Sequence, residues 1–195
     1  TSRQDVNYYG NKIPKIAPRP FTFNYSKLNK TLSCITVLKN GKYGLIDNSG
    51  KIIYPADNDL VKPSLTDQYY TIQKGNLLGI YFTSNKKKTE LEFQNVYEDG
   101  LGYVMAVKSN KAGVLSYKGE QLVPFDYDPD FIMQLKYGFR VKKNKKSGIV
   151  SKSGLIIVPP IYDDVDSFYE NGFEDFIKVK SGENYGIINL KGNLI

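Results

Sequence analysis

The sequence predicts an all-β repeat array. Three observations carry that expectation. A glycine followed by two apolar residues recurs five times at near-constant spacing. A turn rich in Gly or Asn and a short apolar run follow each glycine. A run of alternating apolar and polar residues precedes it. The implied fold is five three-stranded antiparallel meanders in an open, β-solenoid-like stack, with a five-bladed, propeller-like closure as the alternative.

The glycine segments set the register. They are Tyr43-Gly44-Leu45-Ile46, Leu78-Gly79-Ile80-Tyr81, Ala112-Gly113-Val114-Leu115, Ser147-Gly148-Ile149-Val150 and Tyr185-Gly186-Ile187-Ile188, with glycines 35, 34, 35 and 38 residues apart. Gly44, Gly79, Gly113, Gly148 and Gly186 are read as structural, placed where a Cβ would block the close approach of a neighbouring strand. The preceding runs, such as Phe139-Arg-Val-Lys142 and Ile177-Lys-Val-Lys180, alternate as half-buried strands do. Short turns such as Asn40-Gly41 and Ser181-Gly182 join them to the glycine segments. The third runs, such as Lys51-Ile-Ile-Tyr-Pro55 and Gln121-Leu-Val-Pro-Phe125, are expected to stop near Pro, which donates no ladder hydrogen bond. The units are placed at about 32–55, 69–93, 102–125, 137–160 and 176–195, separated by longer linkers. One three-stranded meander is marginal by itself, whereas stacked meanders share an apolar surface.

Residues 1–31 are set apart as an extended basic N-terminal arm and cap. Pro14, Pro18 and Pro20 oppose a helix, and Phe21-Thr-Phe-Asn-Tyr25 alternates as a strand covering the first unit would. The chain carries a net charge of +7, and +5 of it falls in residues 1–38. The nearly balanced remainder disfavours a nucleic-acid stripe. The sequence opens on Thr1 and is read as processed or trimmed, and Thr1–Ile16 has no apolar core of a signal peptide. No stretch approaches the ~20 apolar residues of a membrane span.

Chemistry is sparse. With no His and a single Cys34, the chain lacks an imidazole base, an imidazole metal ligand and a thiolate zinc cage. Neither a catalytic residue nor a cofactor or metal site is expected. Asp126, Asp128 and Asp130 alternate like the start of a calcium loop, but the later Gly and Glu are missing and Pro129 intervenes, so a solvated turn is preferred. The lysine clusters Lys86–Lys88 and Lys142–Lys146 read as charged hairpin tips. The aromatic linkers supply the candidate partner-binding surface: Tyr54, Tyr97, Tyr127, Tyr162, Phe168 and Tyr169.

The segment 147–180 resembles the WG-repeat family of bacterial proteins. It presents Gly148-Ile149-Val150, Ser153-Gly154, Ile156-Ile157-Val158-Pro159-Pro160, Tyr162-Asp163, Phe168 and Gly172-Phe173, and Tyr43–Pro55 looks like the first half of the same motif. The resemblance covers roughly residues 39–195. The family's signature Trp is replaced here by Tyr43, Leu78, Ala112, Ser147 and Tyr185. The resemblance implies a β-repeat scaffold more than any particular activity. The expectation is a non-enzymatic scaffold for protein–protein interaction, a subunit or accessory component of a bacterial cell-envelope assembly or a secreted protein. A glycan-binding module and a hydrolase using carboxylates alone are the alternatives. The absence of Trp, the strongest sugar-stacking residue, weighs against the former.

Overall fold

The computed structural model describes residues 34–98, 102–129, 132–167 and 175–195. The arm and cap expected over residues 1–31 lie outside them. The described residues form eighteen strands and no helix, arranged as five antiparallel sheets. The first sheet contains β1 (Cys34–Lys39), β2 (Lys42–Asp47) and β3 (Ile52–Asn58). The second contains β4 (Leu60–Pro63), β5 (Tyr69–Lys74), β6 (Leu77–Phe82) and β7 (Lys87–Lys88). The third contains β8 (Asn95–Glu98), β9 (Tyr103–Lys108), β10 (Lys111–Ser116) and β11 (Gln121–Tyr127). The fourth contains β12 (Ile132–Leu135), β13 (Gly138–Lys143), β14 (Lys146–Ser151) and β15 (Ile156–Tyr162). The fifth contains β16 (Asp164–Ser167), β17 (Phe176–Ser181) and β18 (Asn184–Asn189).

Each sheet is an up-and-down meander, as expected, but most have one strand more than the sequence indicates. The segments read as linkers supply β4, β8, β12 and β16, each pairing with the strand that follows it. These strands are four residues long and carry few core positions. In Asp164-Val-Asp-Ser167 the deeply buried residue is Val165, so the stretch reads as a polar loop.

Proline does not end the third runs either. β3 passes through Pro55, β11 through Pro124, and β15 through Pro159 and Pro160. All three are edge strands, and each has a register shift in its pairing with the glycine strand. An edge strand at a bulge has no ladder bond for proline to break. In the first sheet, buried Asn58 satisfies this bulge by donating from Nδ2 to the carbonyl oxygens of Pro55 and Tyr43, at 2.8 and 3.1 Å. The second sheet departs most. Its outer strand is the two-residue β7, supplemented by a single bridge between Leu78 and Phe93.

Turn chemistry explains the hairpins. Asn40-Gly41, Ser109-Asn110 and Asn144-Lys145 all have positive φ at both central residues, the requirement of a tight type I′ turn. The next turn in the unit is held by a side chain at the end of the glycine strand. Asp47, Ser116, Ser151 and Asn189 accept from backbone amides two or four residues ahead.

The core lies between sheets. Strand alternation sends Tyr70 and Ile72 of β5 towards the first sheet, where they meet Cys34 and Leu45, and sends Tyr69 towards the third. Phe82 and Phe93 meet Val104 and Leu115 at the second junction. Val114, Val123 and Tyr127 meet Phe139, Val141 and Val150 at the third. Ile149 and Val158 meet Val165, Ile177 and Ile188 at the fourth. Four clusters thus join five consecutive sheets. Among the described residues no buried cluster joins the first sheet to the fifth.

Candidate functional site

The repeat glycines occupy equivalent places. Gly44, Gly79, Gly113, Gly148 and Gly186 pair with Val37, Ile72, Ala106, Val141 and Val179 of the preceding strand. On the other side, three face the bulged edge strand. A Cβ at Gly44 would stand 2.9 Å from Ala56 N, and one at Gly148 would stand 2.6 Å from Val158 O and 2.7 Å from Pro160 N. At Gly113 it would meet the Phe125 ring at 2.8 Å. Gly79 and Gly186 have more room, with a leucine side chain as nearest atom at 3.2 and 3.1 Å.

The acidic residues between units bind the sheets together. Asp59 accepts from Lys42 Nζ of the first sheet at 2.6 Å and from Gly75 N in a second-sheet turn at 2.6 Å. Asp163 repeats this with Lys146 Nζ of the fourth sheet at 2.6 Å and Gly182 N of the fifth at 2.7 Å. The lysine hydrogen bond and the turn amide hold both carboxyls below the ordinary carboxylate range. Asp128 accepts from Asn144 N and Lys145 N, which caps the turn where Lys145 has positive φ. Asp126 pairs with Lys143. The calcium-like alternation is therefore spent on hairpin caps and an ion pair in this structure, while Asp130 lies outside the described residues. Among the described residues no group of three or more His, Cys, Asp or Glu is placed to hold a metal ion.

The lysine clusters are likewise engaged. Lys87 Nζ donates to Gly119 O of the third sheet at 2.7 Å, and Lys88 lies over the Tyr54 ring. Lys143 and Lys146 make the ion pairs above.

The candidate tyrosines do not come together. Tyr127 is buried in the cluster between the third and fourth sheets. Tyr54 is half-buried and donates its hydroxyl to Thr89 O at 3.3 Å, and burial pushes its phenol up to about 12. Tyr162 packs against the cluster between the fourth and fifth sheets. Phe168 and Tyr169 lie outside the described residues. Tyr97 on β8 is 49% exposed and stands at the mouth of a cleft of about 390 Å³ between the third and fourth sheets.

That cleft is lined by Tyr97, Met105, Ala106, Val107, Ala112, Pro129 and Ile132. Beside it, Tyr103 meets the Phe139 ring edge-on with centroids 5.0 Å apart. Among the described residues no charged side chain lines the cleft, and the lining they give suits an uncharged, apolar group. Sequence reading singled out Tyr97 but not Met105, Val107, Pro129 or Ile132. The available signal was Ala112, a small residue at a position where Tyr43, Leu78 and Tyr185 are bulky.

Fold and site define a β-repeat scaffold in which each sheet packs on its sequence neighbours. Residues 148–185 match the family model described as WG containing repeat. That span covers one period, from the glycine of β14 to the residue before the glycine of β18. On this segment the chain is similar to the WG-containing repeat. No curated protein matches the chain. Among solved structures it is similar to the dihydro-haem d1 dehydrogenase NirN, at 14% identity over 84% of this chain and 43% of that one, with a TM-score of 0.33. It is also similar to Hsv2 of Kluyveromyces lactis, at 10% identity over 84% and 59%, with a TM-score of 0.37. A third likeness is to PorZ, a surface component of the type-IX secretion system of Porphyromonas gingivalis, at 11% identity over 84% and 24%, with a TM-score of 0.38. The chain spans less than two thirds of each, and at these TM-scores none of them carries a functional argument.

Proposed function

We propose that this β-repeat domain is a non-enzymatic scaffold that recognises a protein partner, as a component of a bacterial cell-envelope assembly outside the cytoplasm. The apolar cleft beside Tyr97 carries the recognition reading. Apolar surface is open to solvent at this junction, whereas the neighbouring acids and lysines are engaged with one another. An aromatic side chain at the rim of a small apolar pocket is the usual centre of a protein interface. The envelope placement is supported by the single cysteine and the composition rich in Asn, Lys and Tyr.

The test is affinity capture from a native cell-envelope fraction with the wild-type chain and with Tyr97→Ser. The expected result is a partner retained by the wild type and lost by the variant. Identical capture by both would remove Tyr97 and its cleft from the reading.

A further inference from the structure

We infer that the cleft between the third and fourth sheets is a site for one uncharged aromatic ring. The inference rests on the reading of this cleft as a recognition surface and names the chemistry it takes.

The residue before each repeat glycine occupies one equivalent position at successive junctions. In the first sheet it is Tyr43, whose side chain packs against the cluster shared with the second sheet. The chain therefore shows, at its own first junction, that a phenol ring fits this place. At the second junction Leu78 stands there, and the cleft is smaller, about 220 Å³, with Lys62, Thr71 and Gln73 among its lining. At the fourth junction the position is buried Ser147, and Arg140 of β13 pairs with Asp164 of β16 nearby. At the third junction the position is Ala112, and the larger, apolar cleft opens over it.

The lining matches a ring. Met105 offers a polarisable sulfur, which makes favourable contacts at aromatic edges. Pro129, Ile132 and Val107 provide flat aliphatic walls, and Tyr97 stands at the rim with a hydroxyl able to meet a polar substituent. Against the described lining residues, none of them charged, an ionised ligand would lose its hydration without compensation. The cleft, about 390 Å³, has ample room for a ring.

The probes are p-cresol, N-acetyltyrosinamide and cyclohexanol, titrated into the full chain and followed by amide chemical shifts. The expected result is saturable shifts at Met105, Val107 and Ala112 with p-cresol, at about millimolar concentration or below. Cyclohexanol, of similar size but not planar, is expected to bind at least several-fold more weakly. N-acetyltyrosinamide separates the sources of the ring. Tighter binding than p-cresol indicates a protein-borne side chain, and weaker binding a free small molecule, and either order supports the site.

Ala112→Leu, which puts at the third junction the residue of the second, is expected to abolish the shifts. If that variant misfolds, Tyr97→Ser at the exposed rim replaces it, with an expected loss of several-fold in affinity. Absence of saturable shifts, equal binding of cyclohexanol, or undiminished binding in a folded Ala112→Leu would each overturn the inference. Envelope capture that depends on Tyr97 but survives Ala112→Leu would sink the ring site and leave the protein-partner reading standing.

Discussion

At the scale of single residues, the five repeat glycines share a place but not a constraint. A Cβ at Gly148 would press on backbone atoms of Val158 and Pro160, which cannot move without disturbing the bulge of β15. A Cβ at Gly79 would meet the end of the Leu91 side chain, which can turn away. Overpacking against fixed atoms costs about 1–3 kcal/mol, and more where backbone must shift. Gly148→Ala is therefore expected to lose stability in that range, and Gly79→Ala to stay within about 1 kcal/mol of wild type. Urea denaturation of the two variants side by side checks this, and equal losses would mean that the bulge yields as easily as a leucine. A second expectation concerns the tyrosines. Burial raises Tyr54, Tyr70 and Tyr81 from an ordinary value of 10.0 to about 12. The folded chain thus holds these protons more tightly than the unfolded one. Their contribution to stability is complete below pH 10 and is lost as pH rises towards 12. Ultraviolet titration should show these phenols ionising late or only with unfolding; ionisation near 10 in the folded protein would contradict the burial.

At the scale of elements, three of the four junctions are fastened by a carboxylate that reaches the neighbouring sheet. Asp59, Asp126 and Asp163 all have pKa values held below the ordinary carboxylate value, with a lysine hydrogen bond as the first cause. A carboxylate with a depressed folded value stabilises the fold above its unfolded value, here 3.8, and the contribution disappears as pH falls through the folded value. Acid unfolding should therefore begin below about pH 4. Asp163→Asn should lower the melting temperature at pH 7 and flatten its fall as pH drops below about 4, where that carboxyl takes up its proton. An unchanged profile would show that the pair with Lys146 and the Gly182 cap are not maintained in solution. This device was only partly readable beforehand. The spacing of Tyr127-Asp128 and Tyr162-Asp163 is visible in the sequence, but the amides they cap lie sixteen to nineteen residues ahead in the next turn. The glycine register and the hairpin turns were legible because each is a local demand on φ or on close approach. The strands β4, β8, β12 and β16 were not, because they are short and one-sided. The passage of β15 through Pro159-Pro160 was hidden because an edge position is a property of the sheet. The cleft was hidden for a similar reason, since Ala112 makes it only together with Pro129 and Ile132 of the following unit.

At the scale of the whole molecule, four clusters joining five consecutive sheets make stability a matter of neighbours. In such an array each junction contributes largely independently, and loss at an end need not propagate to the middle. The fifth sheet illustrates this. Ile177, Val179 and Ile188 are buried, and they meet Ile149 and Val158 across one junction. Ile177→Ala removes a fully buried side chain, a change that ordinarily costs about 2–5 kcal/mol. In a chain that unfolds as one unit, that loss would lower hydrogen-exchange protection everywhere. In a nearest-neighbour array it should fall on β16, β17 and β18 and on the facing strands β14 and β15, while the strands around Phe82 and Phe93 keep their protection. Phe82→Ala, placed at the second junction, should do the converse. It should cost about 3–5 kcal/mol and uncouple the second sheet from the third. Residue-resolved amide exchange on the two variants distinguishes these cases. Uniform loss in Ile177→Ala would show a single cooperative unit and overturn the neighbour-by-neighbour account of the fold. Confined loss would mean that the apolar cleft at the third junction can open or fill without disturbing sheets two junctions away, as a local recognition site on a stacked scaffold requires.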